Sequence, residues 1–101
     1  MVDYVRYDRQ KMKKYGLRDD GDFVERYLRK RVENPCIPEA VVDAKPYNGQ
    51  MHIDVVLYYD PDCPGIESFL EKIEMFLMLK VDRIVVWKEP IKKEEKGNEN
   101  S

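Results

Sequence analysis

The chain has 101 residues, the length of one domain, and 43% of them are hydrophobic, so it can bury a core. Charged residues make up 38% of the chain, a bias common in thermophile proteins. No apolar run reaches the length of a membrane span and no signal-peptide core is present, so we expect a cytoplasmic protein without a membrane partner.

The N-terminal part begins with a weak strand at residues 2–7 and continues as a polar, glycine-containing segment. We therefore expect residues 1–22 to be a short strand and a mobile basic arm. Residues 1–33 carry ten Lys/Arg against seven Asp/Glu, whereas residues 34–101 carry eight against thirteen. A basic first third can face phosphates, although no stretch is purely basic and interleaved surface charge explains it more simply.

A first helix is predicted to begin near Phe23 after a cap at Asp20 or Asp22, and to stop at Asn34-Pro35. Its apolar residues recur at helical spacing and form one stripe: Val24, Tyr27, Leu28 and Val32. The other side carries three cations that are candidates for contacting nucleic-acid phosphates: Arg26, Arg29 and Lys30.

Two alternating segments at residues 40–45 and 51–60 predict a β-hairpin whose two-residue turn is Asn48-Gly49. Pairing outward from this turn places Asp43 opposite Asp54 and Lys45 opposite His52. One face of the hairpin is aliphatic and must be covered by helices. The four polar residues share the other face.

This polar face has two interpretations. An exposed sheet face in a small antiparallel domain is normally polar, and diagonal Asp–Lys contacts relieve the repulsion between Asp43 and Asp54. Alternatively, the two carboxylates bind Mg²⁺ or Mn²⁺, and Lys45 and His52 complete a catalytic group that cleaves a phosphodiester.

The second helix is predicted over residues 66–80, followed by a last strand at 81–88. Near its end the helix is apolar on all faces, because Met75, Met78 and Leu79 lie away from the core stripe. Either the N-terminal arm covers this turn, a second copy of the chain covers it in a homodimer, or it accepts another protein. The cysteines, Cys36 and Cys63, are too few for a disulfide framework, and the sequence leaves open whether they pair.

These elements predict a small two-layer α+β sandwich with a mostly antiparallel sheet and two helices on one face. The order (β)αββαβ is ferredoxin-like, and a truncated endonuclease-like core is the alternative. Residues 23–88 form the single domain, and the charged residues 89–101 are expected to be a disordered tail.

The stretch GDFVERYLRKRVE (21–33) resembles the first helix of archaeal Holliday junction resolvases and related PD-(D/E)XK nucleases. The resemblance covers about a third of the chain and implies that Glu25 is a metal-site glutamate. After Asp54, however, Val56 stands where the family has lysine, and Asp43-Ala44-Lys45 supplies Asp-x-Lys on the preceding strand instead.

The leading hypothesis from the sequence is a non-enzymatic, homodimeric interaction module that needs no cofactor. It would bind a protein, with Met75, Met78 and Leu79 as the interface, or a nucleic acid through the three cations of the first helix together with the basic N-terminal arm. The alternative is a small nuclease that uses Mg²⁺ or Mn²⁺ with Asp43, Lys45, His52 and Asp54, and with Glu25 through the family resemblance.

Overall fold

A computed structural model describes residues 4–32 and 35–91 of the chain. Four strands and three helices follow one another in this part. In chain order they are β1 (Val5–Tyr7), α1 (Arg9–Lys14), α2 (Arg18–Arg31), β2 (Glu39–Tyr47), β3 (Gln50–Tyr59), α3 (Ile66–Lys80) and β4 (Ile84–Pro90).

The strands form one sheet in the order β1-β2-β3-β4, and the helices cover one of its faces. The predicted two-layer α+β architecture is therefore confirmed. The sheet is mixed rather than mostly antiparallel, because β1 runs parallel to β2 and β4 runs parallel to β3. Each parallel pair consists of direct neighbours, so the units are not split as in the ferredoxin-like arrangement. Helical connections between β1 and β2 and between β3 and β4 are long enough for such crossovers.

The two crossovers have opposite hands. The central strands β2 and β3 are antiparallel, while both βαβ units place their helices on the same face of the sheet. One crossover is consequently left-handed, which is rare among parallel connections.

The central hairpin has the register that the sequence predicts. Asn48 and Gly49 have φ values of 51° and 79°, as the two central positions of a type I′ turn require. Asp43 pairs with Asp54 and Lys45 pairs with His52. The aliphatic face is buried as expected, and the polar residues share the opposite, outer face.

The core lies between that aliphatic sheet face and the helices. The predicted stripe of α2 packs into it, since Val24, Leu28 and Val32 are almost fully buried. Helix α3 has the predicted bounds and contributes its own stripe: Ile66, Leu70, Ile73 and Leu77.

The described part of the N-terminal segment, residues 4–22, packs into the fold instead of forming a separate mobile arm, and residues 1–3 lie outside the described part. Asp8 caps α1 by accepting the amide of Lys11 at 3.1 Å, and Met12 on this helix is fully buried. Helix α2 begins at Arg18, five residues before the predicted start at Phe23. Neither Asp20 nor Asp22 caps it; Asp22 instead accepts the hydroxyl of Tyr7 at 2.6 Å. This contact ties β1 to α2.

Cys36 and Cys63 form a disulfide, a pairing that the sequence alone leaves open. The bridge joins the connector before β2 to the turn before α3, where the amide of Asp60 also donates to the carbonyl of Cys36 at 2.9 Å. Of the expected tail, residues 89 and 90 belong to β4, and residues 92–101 lie outside the described part.

Candidate functional site

The outer face of the sheet holds the four polar residues that the sequence singles out. Strand register brings Asp43 and Asp54 to directly opposed positions, with Lys45 and His52 as the next pair on the same face. Their environments differ sharply, however, and each carboxylate already has other partners.

Asp54 is buried, with 2% of its surface exposed. Its Oδ1 accepts the hydroxyl of Tyr47 at 2.5 Å and the indole N–H of Trp87 at 2.8 Å. The hydrogen bond to Asp54 raises the pKa of the Tyr47 hydroxyl, because losing the proton would place two negative charges side by side. The two aromatic side chains therefore cover a carboxylate for which the sequence suggests either a solvated polar face or a metal site.

Asp43 is bound from the edge of the sheet. Strand β1 pairs only with residues 40–42, and α1 lies beside β2 where that pairing ends. From α1, Lys11 places Nζ 2.7 Å from Oδ1 of Asp43, which also accepts the amide of Ala44 at 2.8 Å. Burial raises the pKa of the Asp43 carboxyl, but these two donors outweigh it and the pKa is lowered.

The remaining members of the predicted group have local roles. The Nδ1 atom of His52 lies 3.1 Å from the carbonyl oxygen of Gln50, and the His52 ring meets the Tyr47 ring edge-on, with centroids 5.5 Å apart. Lys45 is exposed at the margin of the outer face.

Glu25 does not join the two aspartates, because α2 covers the opposite face of the sheet. Its carboxylate accepts Nε of Arg29 at 2.9 Å and lies 3.6 Å from Arg9. Within residues 4–32 and 35–91, no three His, Cys, Asp or Glu side chains are grouped so that they could hold a metal ion. The predicted nuclease group thus comes together only in part.

A groove of about 490 Å³ runs along α2 and α3 on the helical layer. All three predicted phosphate-binding cations line it, together with Arg31 and an aromatic cluster: Phe23, Tyr27 and Phe76. The Tyr27 ring stacks on Phe76 with centroids 4.4 Å apart. The guanidinium of Arg31 lies 4.4 Å from the centroid of the Tyr27 ring. The Tyr27 ring therefore contacts both Phe76 and the Arg31 guanidinium.

The cations of this groove are not equivalent. Arg29 is held by Glu25 and by the carbonyl of Val5, at 3.2 Å. For Arg26 and Lys30, which lie one turn apart on α2, the described part of the chain shows no ion pair or hydrogen bond. These two side chains are available to a ligand.

Beside the groove, the end of α3 exposes three large apolar side chains. Met75 is 64% exposed, Met78 56% and Leu79 78%. We call these three residues the α3 patch. The predicted exposure is confirmed, and the alternative that the N-terminal arm covers them is wrong for its described residues, since Met12 points into the core and Tyr7 binds Asp22.

None of the helices in the described ranges is both long and apolar enough for a membrane span. Comparison with known proteins finds no protein family whose model matches the chain and no curated protein that matches it. The contacts on the two faces are therefore the basis for assigning a function.

Proposed function

We propose that the chain is a non-enzymatic interaction module that forms a homodimer through the α3 patch. The observation that carries this proposal is the exposure of Met75, Met78 and Leu79 together on two successive turns of one helix. Clustered apolar side chains on a surface usually mark contacts with other proteins.

A second copy of the chain is the partner that this patch fits most simply. Two α3 helices related by a twofold axis bury the same three side chains on both protomers, and twofold dimers are the commonest oligomers. Unbranched methionine side chains adapt to such a contact, because they fill irregular gaps.

Sedimentation equilibrium of the full chain tests the dimer. We expect about twice the monomer mass at micromolar concentration, and the monomer mass for Met78→Glu, because a carboxylate would be buried without a partner. Gln10→Glu, which adds the same charge on exposed α1, is the matched control and should leave the dimer intact. A monomer at high protein concentration, or a Met78→Glu variant that still dimerises, overturns the proposal.

Nucleic-acid binding is a second candidate, supported by Arg26 and Lys30. They are exposed cations without a described partner, they lie one turn apart, and they line the groove between α2 and α3. Such a pair suits two phosphates of a single strand, while no base-reading group accompanies it. A dimer would carry two of these grooves.

Fluorescence anisotropy with a labelled single-stranded oligonucleotide tests this candidate. We expect binding that weakens steeply with salt and that is reduced in Arg26→Gln/Lys30→Gln, because each phosphate contact releases a counterion. Lys13→Gln/Arg83→Gln removes the same charge elsewhere and should bind like the native chain. Absent or salt-insensitive binding removes nucleic acid as the ligand.

The metal-dependent nuclease is the less supported alternative. Asp54 is covered by Tyr47 and Trp87, Asp43 is paired with Lys11, and Glu25 lies on the other layer. A metal ion at this face would have to displace Lys11 from Asp43, and Oδ1 of Asp54 already accepts two hydrogen bonds.

A further inference from the structure

The outer face contains an open cup of about 340 Å³ in the middle of the sheet. Three aromatic side chains line it beside three charged ones, with one carboxylate at the base and a lysine and a second carboxylate at the margin. These residues are Tyr47, Tyr58 and Trp87, and Asp54, Lys45 and Glu89. We call this site the aromatic cup. It lies on the face opposite to the groove and the α3 patch.

Asp54 gives the aromatic cup its chemical character. The residue is buried, with 2% of its surface exposed, yet the described hydrogen-bond donors to its carboxylate are two neutral groups, both on Oδ1. The described part of the chain shows no hydrogen bond to Oδ2 and no cation within 4 Å of the carboxylate. A buried charge without a countercharge is unfavourable, so a cationic ligand in the cup would gain from Asp54 what the protein does not supply.

The side chains that line the cup determine which kind of cation it can bind. Mg²⁺ and Mn²⁺ prefer several hard oxygen ligands, and the cup has only Asp54 at its base. Tyrosine and tryptophan rings attract organic cations through their π electrons, and methylated ammonium groups are the cations that aromatic sites recognise best, because they carry little bound water. We propose that the aromatic cup binds a methylated ammonium group, with Asp54 as its countercharge and with Tyr47, Tyr58 and Trp87 as its wall.

The margin of the cup contains one charge of each sign. Glu89 lies on β4 beside Tyr58 on β3, and Lys45 lies on the β2 side. A ligand that carries a second, anionic or hydroxyl group could place that group toward Lys45 and its ammonium toward Asp54. The cup therefore has a polarity that a simple apolar pocket lacks.

Trp87 is the only tryptophan of the chain and donates directly to Asp54, so its fluorescence reports on the cup. Choline chloride and tetramethylammonium chloride are titrated at constant ionic strength. We expect a saturable change in the emission of Trp87. Potassium chloride, and the neutral analogue of choline with carbon in place of nitrogen, should give none. No saturable change with either amine, or an equal change with the neutral analogue, overturns the proposal.

Two variants locate the binding. Asp54→Asn keeps the shape of the side chain and removes its charge, and we expect it to weaken binding at least tenfold. Tyr58→Leu removes one wall without touching the hydrogen bonds of Asp54, and should weaken binding about threefold or more. Circular dichroism checks the folding of both. If Asp54→Asn does not fold, Tyr58→Leu decides, and native affinity in that variant contradicts the proposal.

Asp43→Asn is the matched control. It removes a carboxylate from the same face at the position opposite Asp54, but outside the cup, and should bind choline like the native chain. If Asp43→Asn weakens choline binding as much as Asp54→Asn does, the ligand responds only to the general negative potential of the face. That result would overturn the proposed site.

The ammonium group can belong to a small molecule or to a methylated lysine of another protein. A short peptide with trimethyl-lysine and the same peptide with unmodified lysine distinguish these sources. Tighter binding of the methylated peptide than of choline assigns the cup to a protein ligand. Tighter binding of choline assigns it to a small molecule.

Discussion

Trp87 donates its indole N–H to Oδ1 of Asp54 across 2.8 Å, between neighbouring parallel strands and 33 positions apart in the chain. Tyr47 donates to the same oxygen from the other side. The carboxylate thereby joins β2, β3 and β4 on the outer face, opposite the face that the described helices cover.

Trp87→Phe tests this bond. The variant leaves a buried carboxylate oxygen with one donor instead of two, and we expect it to lower the free energy of unfolding by about 1–2 kcal/mol. Urea unfolding followed by circular dichroism measures the change, since the variant has no tryptophan. In an Asp54→Ala background, which has no acceptor for the indole N–H, the same substitution should cost clearly less; an equal cost would mean that the indole stabilises the sheet by packing alone.

The ion pair between Lys11 and Asp43 makes a pH-dependent contribution to stability. The pKa of Asp43 is lowered in the folded chain, so its stabilisation is present above the unfolded-state pKa of about 3.9 and is lost as pH falls through the lower folded-state value. We expect Asp43→Asn to lower the free energy of unfolding at pH 7 by about 0.5–1 kcal/mol.

Denaturant unfolding at a series of pH values measures that loss. The difference between Asp43→Asn and the native chain should shrink toward zero in strong acid. Asp82→Asn, at an exposed carboxylate after α3, serves as the control and should show a much smaller difference at every pH. A loss from Asp43→Asn that persists unchanged in strong acid would argue against the ion pair.

Added Mg²⁺ or Mn²⁺ should leave the melting temperature of the native chain unchanged. A metal that binds only the folded state raises stability by mass action, but the aspartates of the outer face already have other partners. Differential scanning calorimetry at saturating metal checks this. A clear upward shift that Asp54→Asn abolishes would instead favour the metal-dependent nuclease.

Much of the fold follows from local patterns in the sequence. Alternation on both sides of Asn48-Gly49 predicts the hairpin register, and the spacing of Ile66, Leu70 and Ile73 predicts α3. The directions of β1 and β4 have no local signal, because any alternating strand can add parallel or antiparallel to a hairpin edge. Helix α1 is too short and too polar to show a periodic stripe, and its burial depends on the single residue Met12.

The site was predictable in position but not in environment. Register places Asp43 and Asp54 together, whereas their partners come from distant elements, namely Lys11 on α1 and Trp87 on β4. The sequence of the last strand contains one indication of this contact: alternation along β4 places Trp87 on the outer face, the face of Asp54. Because the sequence does not give the direction of β4 in the sheet, this alternation alone does not predict that the indole reaches Asp54.

The disulfide should stabilise the domain substantially. Cys36 and Cys63 are separated by 27 positions, and a loop of that length corresponds to about 3–4 kcal/mol in the chain-entropy description. We expect Cys36→Ala/Cys63→Ala to lose about this much in urea unfolding. Dithiothreitol should lower the melting temperature of the native chain and leave that of the double variant unchanged. Equal sensitivity of both proteins would mean that the reductant acts elsewhere.

Gly21 on α2 lies close to one side chain from β1 and one from α1. A Cβ at this position would lie 2.7 Å from the hydroxyl oxygen of Tyr7 and 3.0 Å from Cγ of Met12. Alanine normally stabilises a helix interior by about 1 kcal/mol relative to glycine, but here the added atom has no space. We therefore expect Gly21→Ala to destabilise the chain by about 1–2 kcal/mol.

The Tyr7→Phe background separates the contribution of the Tyr7 hydroxyl from that of Met12 to the effect of Gly21→Ala. Removing the hydroxyl takes away the nearest atom, so alanine at position 21 should cost less in Tyr7→Phe than in the native chain, with the contact to Met12 still opposing it. Chemical denaturation of the four proteins of this cycle measures the coupling. If alanine stabilises the native chain, the α1–α2 contact is looser than the structure shows, and the N-terminal segment resembles the arm that the sequence predicts.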